Sequence, residues 1–137
     1  MKEKTGKGYT TDASGALYTA SEFAGRMSGE LPQLPTLIAE TQLTRYLDDP
    51  GWGLQEKADG ENRMLVIEED AVRGTNRRGL FVDIPQAWVA TAALPAGRAV
   101  IAGEHVGDGF LAFDLLEAAG EDLRAQAFAE RFRRLEA

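Results

Sequence analysis

The chain has 137 residues and a net charge of −7, with 22 acidic residues against 15 basic ones. That length is enough for one domain with a real core, and the acidic balance argues against a surface that coats nucleic acid by charge. Cysteine is absent and histidine occurs once, which excludes disulfides, cysteine-ligated metals and multi-histidine metal sites. No apolar run reaches membrane-spanning length and no secretory signal is present, so we expect no membrane partner and a cytoplasmic location.

Composition divides the chain into a leader and one domain. Residues 1–17 are rich in Lys, Gly, Thr and Ser and have no apolar periodicity, so we expect a flexible leader. Residues 18–137 are interpreted as a single domain that is helical up to residue 50 and sheet-forming from residue 51. In the helical part, Ser21 is expected to cap one short helix, and Thr41 is expected to open another.

From Gly53 onward the pattern is that of β-strands separated by Asp-Gly and Gly-Asp-Gly turns. Residues 62–68 carry apolar side chains on both faces, which predicts a central strand. Further strands are expected at residues 54–57, 71–75, 98–104 and 110–116. Alternation along the last of these places Leu111, Phe113 and Leu115 on one side.

Two helices are expected among these strands. One covers about residues 83–94, with Trp88 on its apolar face, and ends at Pro95. The other is expected to be capped by Asp122 and to carry Phe128 and Phe132 on its apolar stripe. The summed pattern predicts an α+β fold, in which helices flank an antiparallel β-sheet.

Lys57 lies in the most informative stretch, just before the Asp59-Gly60 turn. We expect the lysine at the end of a strand, beside a glycine that lets a ligand approach the backbone. Arg63 follows closely and suits an anionic ligand. A lysine on rigid strands near such groups is typical of a nucleophile that attacks phosphate. A solvated surface lysine is the simpler interpretation of the same residues.

Four segments, in register over residues 55–116, resemble the adenylation domain of ATP-dependent DNA ligases and, more loosely, RNA ligases and mRNA capping enzymes. Residues 57–63 (Lys-Ala-Asp-Gly-Glu-Asn-Arg) resemble the signature Lys-x-Asp-Gly-x-Arg, with Asn62 in the arginine's place. Residues 75–79 (Thr-Asn-Arg-Arg-Gly) resemble Ser-Arg-x-Gly. Residues 102–106 (Ala-Gly-Glu-His-Val) resemble Asp-Gly-Glu-Leu-Val, and residues 110–116 resemble a strand ending Phe-Asp-Leu-Leu.

The chain ends at Ala137, before two further family motifs and the OB-fold domain that usually follows them. The resemblance therefore implies a partial adenylation domain with a nucleotidyltransferase, ATP-grasp-like fold. Complete nick sealing by this chain alone is not expected.

The resemblance also implies roles for individual residues. Lys57 would attack ATP and form a lysyl-AMP intermediate, Glu104 would accept hydrogen bonds from the ribose, and Phe113 would stack on adenine. The other candidate nucleotide-binding residues are Glu56, Asp59, Gly60, Arg63 and Arg77, with Arg78 as an alternate for Arg77. Each has a structural interpretation as well: Glu104 as a solvated carboxylate at a strand end, Phe113 as plain core, Asp59 as a turn former.

The cofactors implied are ATP and Mg²⁺, and the product is AMP transferred to a polynucleotide 5′-phosphate, as in DNA repair and replication. Nicked DNA is an expected partner, bound weakly by this chain alone. Two alternatives stay open. One is a non-catalytic nucleotide-binding remnant. The other is an interaction protein that covers an apolar sheet face by forming a homodimer or by binding a partner chain.

Overall fold

The computed structural model describes residues 24–33, 35–69, 71–91 and 97–137. One six-stranded antiparallel sheet has the strand order β3-β2-β1-β4-β5-β6. Its strands are β1 Glu61–Glu68, β2 Ala71–Thr75, β3 Phe81–Val82, β4 Ala99–Val106, β5 Gly109–Ala118 and β6 Glu121–Asp122. The helices with described bounds are α1 Leu43–Leu47, preceded by a 3₁₀ turn at Glu40–Gln42, then α2 Gln86–Thr91 and α3 Phe128–Glu136. The predicted α+β class with an antiparallel sheet is confirmed.

Strand β1 is the centre of the sheet, as its two apolar faces predict. Met64, Leu65, Val66 and Ile67 are all at most 6% exposed, and β2 and β4 pair with its two edges. A strand with both edges paired and both faces covered has few ways to move. The turn that precedes β1 is therefore attached to a strand that is buried on both faces and paired on both edges.

Each face of the sheet has its own apolar cluster. Leu65 and Ile67 pack with Trp88 of α2 on one face. Met64, Val100 and Leu116 pack together on the other face, with Phe113 against them. The second face is the one that bears the candidate site, because Phe113 belongs to it.

An extended segment, residues 26–33, joins distant parts of the sheet. Met27 forms an isolated antiparallel bridge with Leu80 beside β3. Further along, the Glu30 carboxylate accepts hydrogen bonds from Arg98 Nη2 at 2.6 Å and from Arg124 Nη2 at 2.5 Å. These partly buried ion pairs fix the segment that leads to the candidate site.

Two predicted elements are wrong, and both errors have a topological cause. Residues 54–57 form no strand, because both edges of β1 are already paired, with β2 and β4. Asp122 does not cap the last helix, because it lies in β6 and pairs with Glu117 of β5. Helix α3 begins only at Phe128.

The other predicted helices differ from the structure mainly at their ends. The helix expected from Thr41 is the 3₁₀ turn Glu40–Gln42 followed by α1. Helix α2 begins at Gln86 and not at Asp83, and residues 92–94 of the predicted helix lie outside the described residues. The leader and the cap at Ser21 lie outside the described residues. Within the described residues, no helix has both the length and the apolar character needed to cross a membrane.

Gly103 permits the close approach of β4 and β5. A Cβ atom added there would lie 2.4 Å from the Leu111 carbonyl oxygen and 2.5 Å from Cζ of Phe110. We expect Gly103→Ala to lower the free energy of unfolding by about 1–3 kcal/mol, because the backbone of β5 must shift. Urea denaturation followed by tryptophan fluorescence measures this.

Gly109→Ala is the matched control, since its added Cβ would meet only the Val106 carbonyl oxygen, at 3.7 Å. We expect little change in stability for this variant. Equal free energies of unfolding for the two variants would contradict the packing argument.

Candidate functional site

A cavity of about 380 Å³ opens on the sheet face that carries Phe113. Its volume lies in the range of small-molecule sites. The cavity brings together Lys57, Glu104 and Phe113, which belong to three separate segments of the sequence. The remaining wall residues are Gln33, Pro35, Gln55, Glu56, Ala58, Asn62, Leu111, Asp114 and Phe128.

Strand pairing places Asn62, Glu104 and Leu111 side by side, and these three residues form the floor of the cavity. Asn62 of β1 is the register partner of Glu104 of β4, and Glu104 is in turn the partner of Leu111 of β5. Register partners share a face of the sheet, with Cβ atoms about 4.5–5.5 Å apart. The floor therefore changes from polar at Asn62 and Glu104 to apolar at Leu111.

A β-bulge at Phe113 changes which residues of β5 share the face of the cavity. Ala102 pairs with Asp114 while Gly103 pairs with Ala112, which leaves Phe113 as the extra residue. Leu111 and Phe113 both line the cavity, as alternation predicts, but beyond the bulge it is Leu116 that joins the buried cluster behind Phe113. Leu115 instead pairs with Ile101. A bulge changes which face the following residues occupy, and alternation alone does not show it.

The lysine segment is irregular but anchored at both ends. Residues 52–59 have no regular secondary structure, and Lys57 is exposed. Gln55 Nε2 donates a hydrogen bond to the Phe113 carbonyl oxygen at 3.4 Å. Gly60 touches β4 so closely that a Cβ atom there would lie 2.2 Å from the His105 carbonyl oxygen. Gly60 thus serves to hold the turn against the sheet, and it is not one of the residues that line the cavity.

One wall of the cavity is held by a buried ion pair that the sequence did not reveal. Arg131 of α3 donates from Nε to Asp114 Oδ1 at 2.8 Å and from Nη2 to Asp114 Oδ2 at 3.0 Å. Its Nη2 also reaches Gln33 Oε1, at 3.3 Å. The hydrogen bonds to Asp114 raise the pKa of the Arg131 guanidinium, so the guanidinium stays charged. The only hint in the sequence is an arginine three residues after Phe128, beside the apolar stripe of the last helix.

The predicted arginines do not line this cavity. Arg63 lies on the opposite face of β1 from Asn62 and pairs with Glu61 at 2.7 Å. Arg77 and Arg78 lie in the turn between β2 and β3, away from the cavity wall. Glu56 does line the cavity, whereas Asp59 does not. The nucleotide-binding roles of all these residues, in the wall and outside it, stay predictions.

The charges of the wall are mixed. Lys57 is the one basic residue among those that line the cavity, together with Glu56, Glu104 and Asp114, the last neutralised by Arg131. Within residues 24–33, 35–69, 71–91 and 97–137, no group of three or more metal-ligating side chains is placed to hold an ion.

Asn62 contributes an unsatisfied polar atom to this site. Its side chain lines the cavity, yet its Oδ1 is buried and has no hydrogen-bond partner among the described residues. A buried acceptor without a partner costs about 1–3 kcal/mol. Thr75 Oγ1, on β2 and outside the cavity wall, is the other such atom among the described residues.

No protein-family model matches the chain, and comparisons with curated proteins and with solved structures find no match. Function is therefore inferred from the cavity and the side chains that form it. Of the predicted site residues, Glu56, Lys57, Glu104 and Phe113 meet there.

Arg131→Leu is expected to lower the free energy of unfolding by about 3–5 kcal/mol, because it leaves the Asp114 carboxylate buried and unpaired. Urea denaturation measures the change. Arg133→Leu, which removes an exposed ion pair with Glu130 on the same helix, is the matched control and should change stability little.

The double variant Asp114→Leu with Arg131→Leu separates the buried charge from lost packing. Because it removes both charges, we expect it to recover part of the stability that Arg131→Leu loses. A double variant no more stable than Arg131→Leu would show that the orphaned carboxylate is not the source of the cost.

Proposed function

We propose that this chain is an adenylation domain of the ATP-dependent polynucleotide ligase type, with DNA as the acceptor, and that Lys57 is its nucleophile. The observation that supports this is the meeting of Lys57, Glu104 and Phe113 on one cavity wall. An amine, a hydrogen-bond acceptor and a flat aromatic ring are the three groups that a lysyl-AMP intermediate needs. They come from three of the four segments that resemble the ligase signature.

The floor is apolar at one end and polar at the other, and this difference predicts how the nucleotide is oriented in the cavity. Phe113 and the half-exposed Leu111 offer an apolar surface for the base, and an aromatic ring stacks well on adenine. Glu104 lies next to Leu111 on the floor and accepts hydrogen bonds from the ribose hydroxyls. Lys57, on the irregular segment beside this floor, is then the group that meets the α-phosphate.

The proposed reaction is a nucleophilic substitution at phosphorus. The neutral Nζ of Lys57 attacks the α-phosphorus of ATP, and an N–P bond forms. The bond from the α-phosphorus to the bridging oxygen of the β-phosphate breaks, and pyrophosphate leaves with the electron pair. The amine proton passes to water at the open side of the cavity, where Lys57 is exposed. AMP is afterwards transferred to the 5′-phosphate of a nicked strand.

Mg²⁺ would neutralise phosphate charge in this reaction. The acidic balance of the chain, −7 overall, predicts weak and salt-sensitive binding of the polynucleotide. The residues of the cavity hold the nucleoside and the α-phosphate, and duplex DNA is not among the ligands that the cavity itself can enclose.

A second candidate function is nucleotide binding without covalent chemistry. It is favoured by one observation, that Lys57 is the one basic residue of the cavity wall in the part of the chain that the structure describes. A triphosphate finds no further cation among those residues, so AMP should bind as tightly as ATP if this candidate is right.

The chain has few lysines, which simplifies the test of Lys57 as the nucleophile. Lys57 is one of four lysines, and the others are Lys2, Lys4 and Lys7. We expect the purified chain, incubated with ATP and Mg²⁺, to gain the mass of one acid-labile adenylyl group. Lys57→Ala should abolish the gain, and a variant with arginine at positions 2, 4 and 7 should retain it. Intact-mass spectrometry measures all three.

The other outcomes distinguish the candidates. If no mass is gained, and AMP and ATP bind equally well in calorimetry, the result would support nucleotide binding without covalent chemistry and contradict the adenylation reaction. An adduct that persists in Lys57→Ala would rule out Lys57 as the nucleophile. The absence of both an adduct and nucleotide binding would contradict both candidates.

A further inference from the structure

We propose that an exposed apolar surface around α1 is the interface of a symmetric homodimer, in which this surface packs against the same surface of a second copy of the chain. We call it the α1 surface, and its members are Leu37, Ile38, Leu43, Leu47, Trp52 and Leu54. The proposal does not rest on the proposed function, because none of these residues lines the cavity that contains Lys57.

Helix α1 has an apolar face that the described part of the chain leaves exposed. Leu43 and Leu47 are four residues apart, which places them on the same face of the helix. None of the residues of α1 is buried, and its contacts within the described residues are mainly with the 3₁₀ turn that precedes it. A helix this short depends on the packing of its apolar face, since it is not stable in water alone. The face therefore requires a partner.

Residues on both sides of α1 extend this face. Leu37 precedes the helix and is 95% exposed, and Leu54 follows it and is 84% exposed. Trp52 packs edge-to-face against Tyr46, with ring centroids 4.8 Å apart, and is still more than half exposed. The α1 surface exceeds the few hundred Å² of contiguous apolar surface that a monomer usually exposes, and it approaches the about 800 Å² that each partner buries in a stable interface.

The composition and shape of the surface indicate a second copy as the partner. A groove of about 790 Å³ lies between α1 and Trp52, and none of the described residues that line it is charged. Depletion of charge is typical of the core of an interface, and homodimer interfaces are the more apolar ones. Leu37 lies outside the lining of the groove, so it is available to enter the groove of the other copy. A two-fold axis forms this contact twice.

The charged residues beside the surface have both signs. Arg45 is exposed on α1, while the exposed carboxylates Glu40, Asp48 and Asp49 flank the helix. In a two-fold dimer, Arg45 of each copy can therefore meet a carboxylate of the other copy at the rim of the interface. The surface differs from the apolar sheet face that the sequence suggested for a homodimer, because both faces of the sheet have their own buried clusters.

We expect the full chain to have twice the 14.9 kDa mass of one copy at a concentration on the order of 100 µM, measured by sedimentation equilibrium. The dimer should become tighter as salt concentration rises, because salt screens the repulsion between two chains that each carry a charge of −7. The double variant Leu37→Asp with Leu54→Asp should weaken dimerisation about a hundredfold, since it places unpaired carboxylates in the interface.

Met27→Asp is the matched control. Met27 is also more than half exposed, but it lies beside β3 and outside the α1 surface, where it pairs with Leu80. We expect this variant to dimerise as the unaltered chain does. Circular dichroism of each variant verifies that it is folded.

Trp52 provides a second measurement on the unaltered chain. The chain has two tryptophans, and Trp88 is buried against the sheet. Covering the α1 surface therefore changes the exposure of Trp52 alone. We expect the fluorescence emission maximum to shift to shorter wavelength over the same concentration range in which the mass doubles, and the double variant to show no such shift.

A chain that keeps the mass of one copy at this concentration overturns the proposal. A mass that grows beyond two copies does so as well, because it indicates a contact between different surfaces that does not close. A dimer that forms without a shift of the Trp52 emission, or that Met27→Asp weakens as much as the double variant does, would place the interface elsewhere. None of these outcomes alters the test of Lys57 as a nucleophile.

Discussion

The pairing of β1 with β4 is the constraint on which the candidate site depends. Seven register pairs run from Glu61 opposite His105 to Ile67 opposite Ala99. Because side chains alternate, a slip of one residue would turn either Asn62 or Glu104 away from the cavity. The two buried faces of β1 oppose the slip, since it would move Met64 and Leu65 out of the separate clusters in which they pack. The contact of Gly60 with the His105 backbone fixes the same register at the end where the lysine segment begins.

On the opposite side of the cavity, two features orient the apolar wall. The bulge at Phe113 places the next residue, Asp114, on the same face as Leu111, and Asp114 forms a buried ion pair with Arg131 of α3. A buried ion pair need not add net stability, but its geometry is specific, because each carboxylate oxygen has its own donor. The pair therefore holds α3 against β5 at one position, and with it Phe128, which closes the cavity.

The sequence predicted those parts of the fold that depend on local pattern. Residues 62–68 carry apolar side chains on both faces, and they form the central strand. The strand expected at residues 54–57 has a local pattern as well, but whether it pairs depends on free edges, and β2 and β4 occupy both edges of β1. Of the residues that line the cavity, the sequence predicts Lys57, Glu104 and Phe113 as site residues. Asn62 and the Asp114–Arg131 pair were missed, because their importance arises from which face a residue occupies and from contacts between segments far apart in the chain.

Arg63 shows how the face that a residue occupies changes the chemistry of the cavity. In a written motif, an arginine one place later than usual is a small departure. In a strand the departure is large, because successive side chains point to opposite faces of the sheet. A shift of one residue therefore moves the charge to the other face. Here the guanidinium of Arg63 pairs with Glu61, and an amide takes its place over the cavity. The floor then presents an amide and a carboxylate, and Lys57 is the basic residue that the described part of the chain places at the cavity.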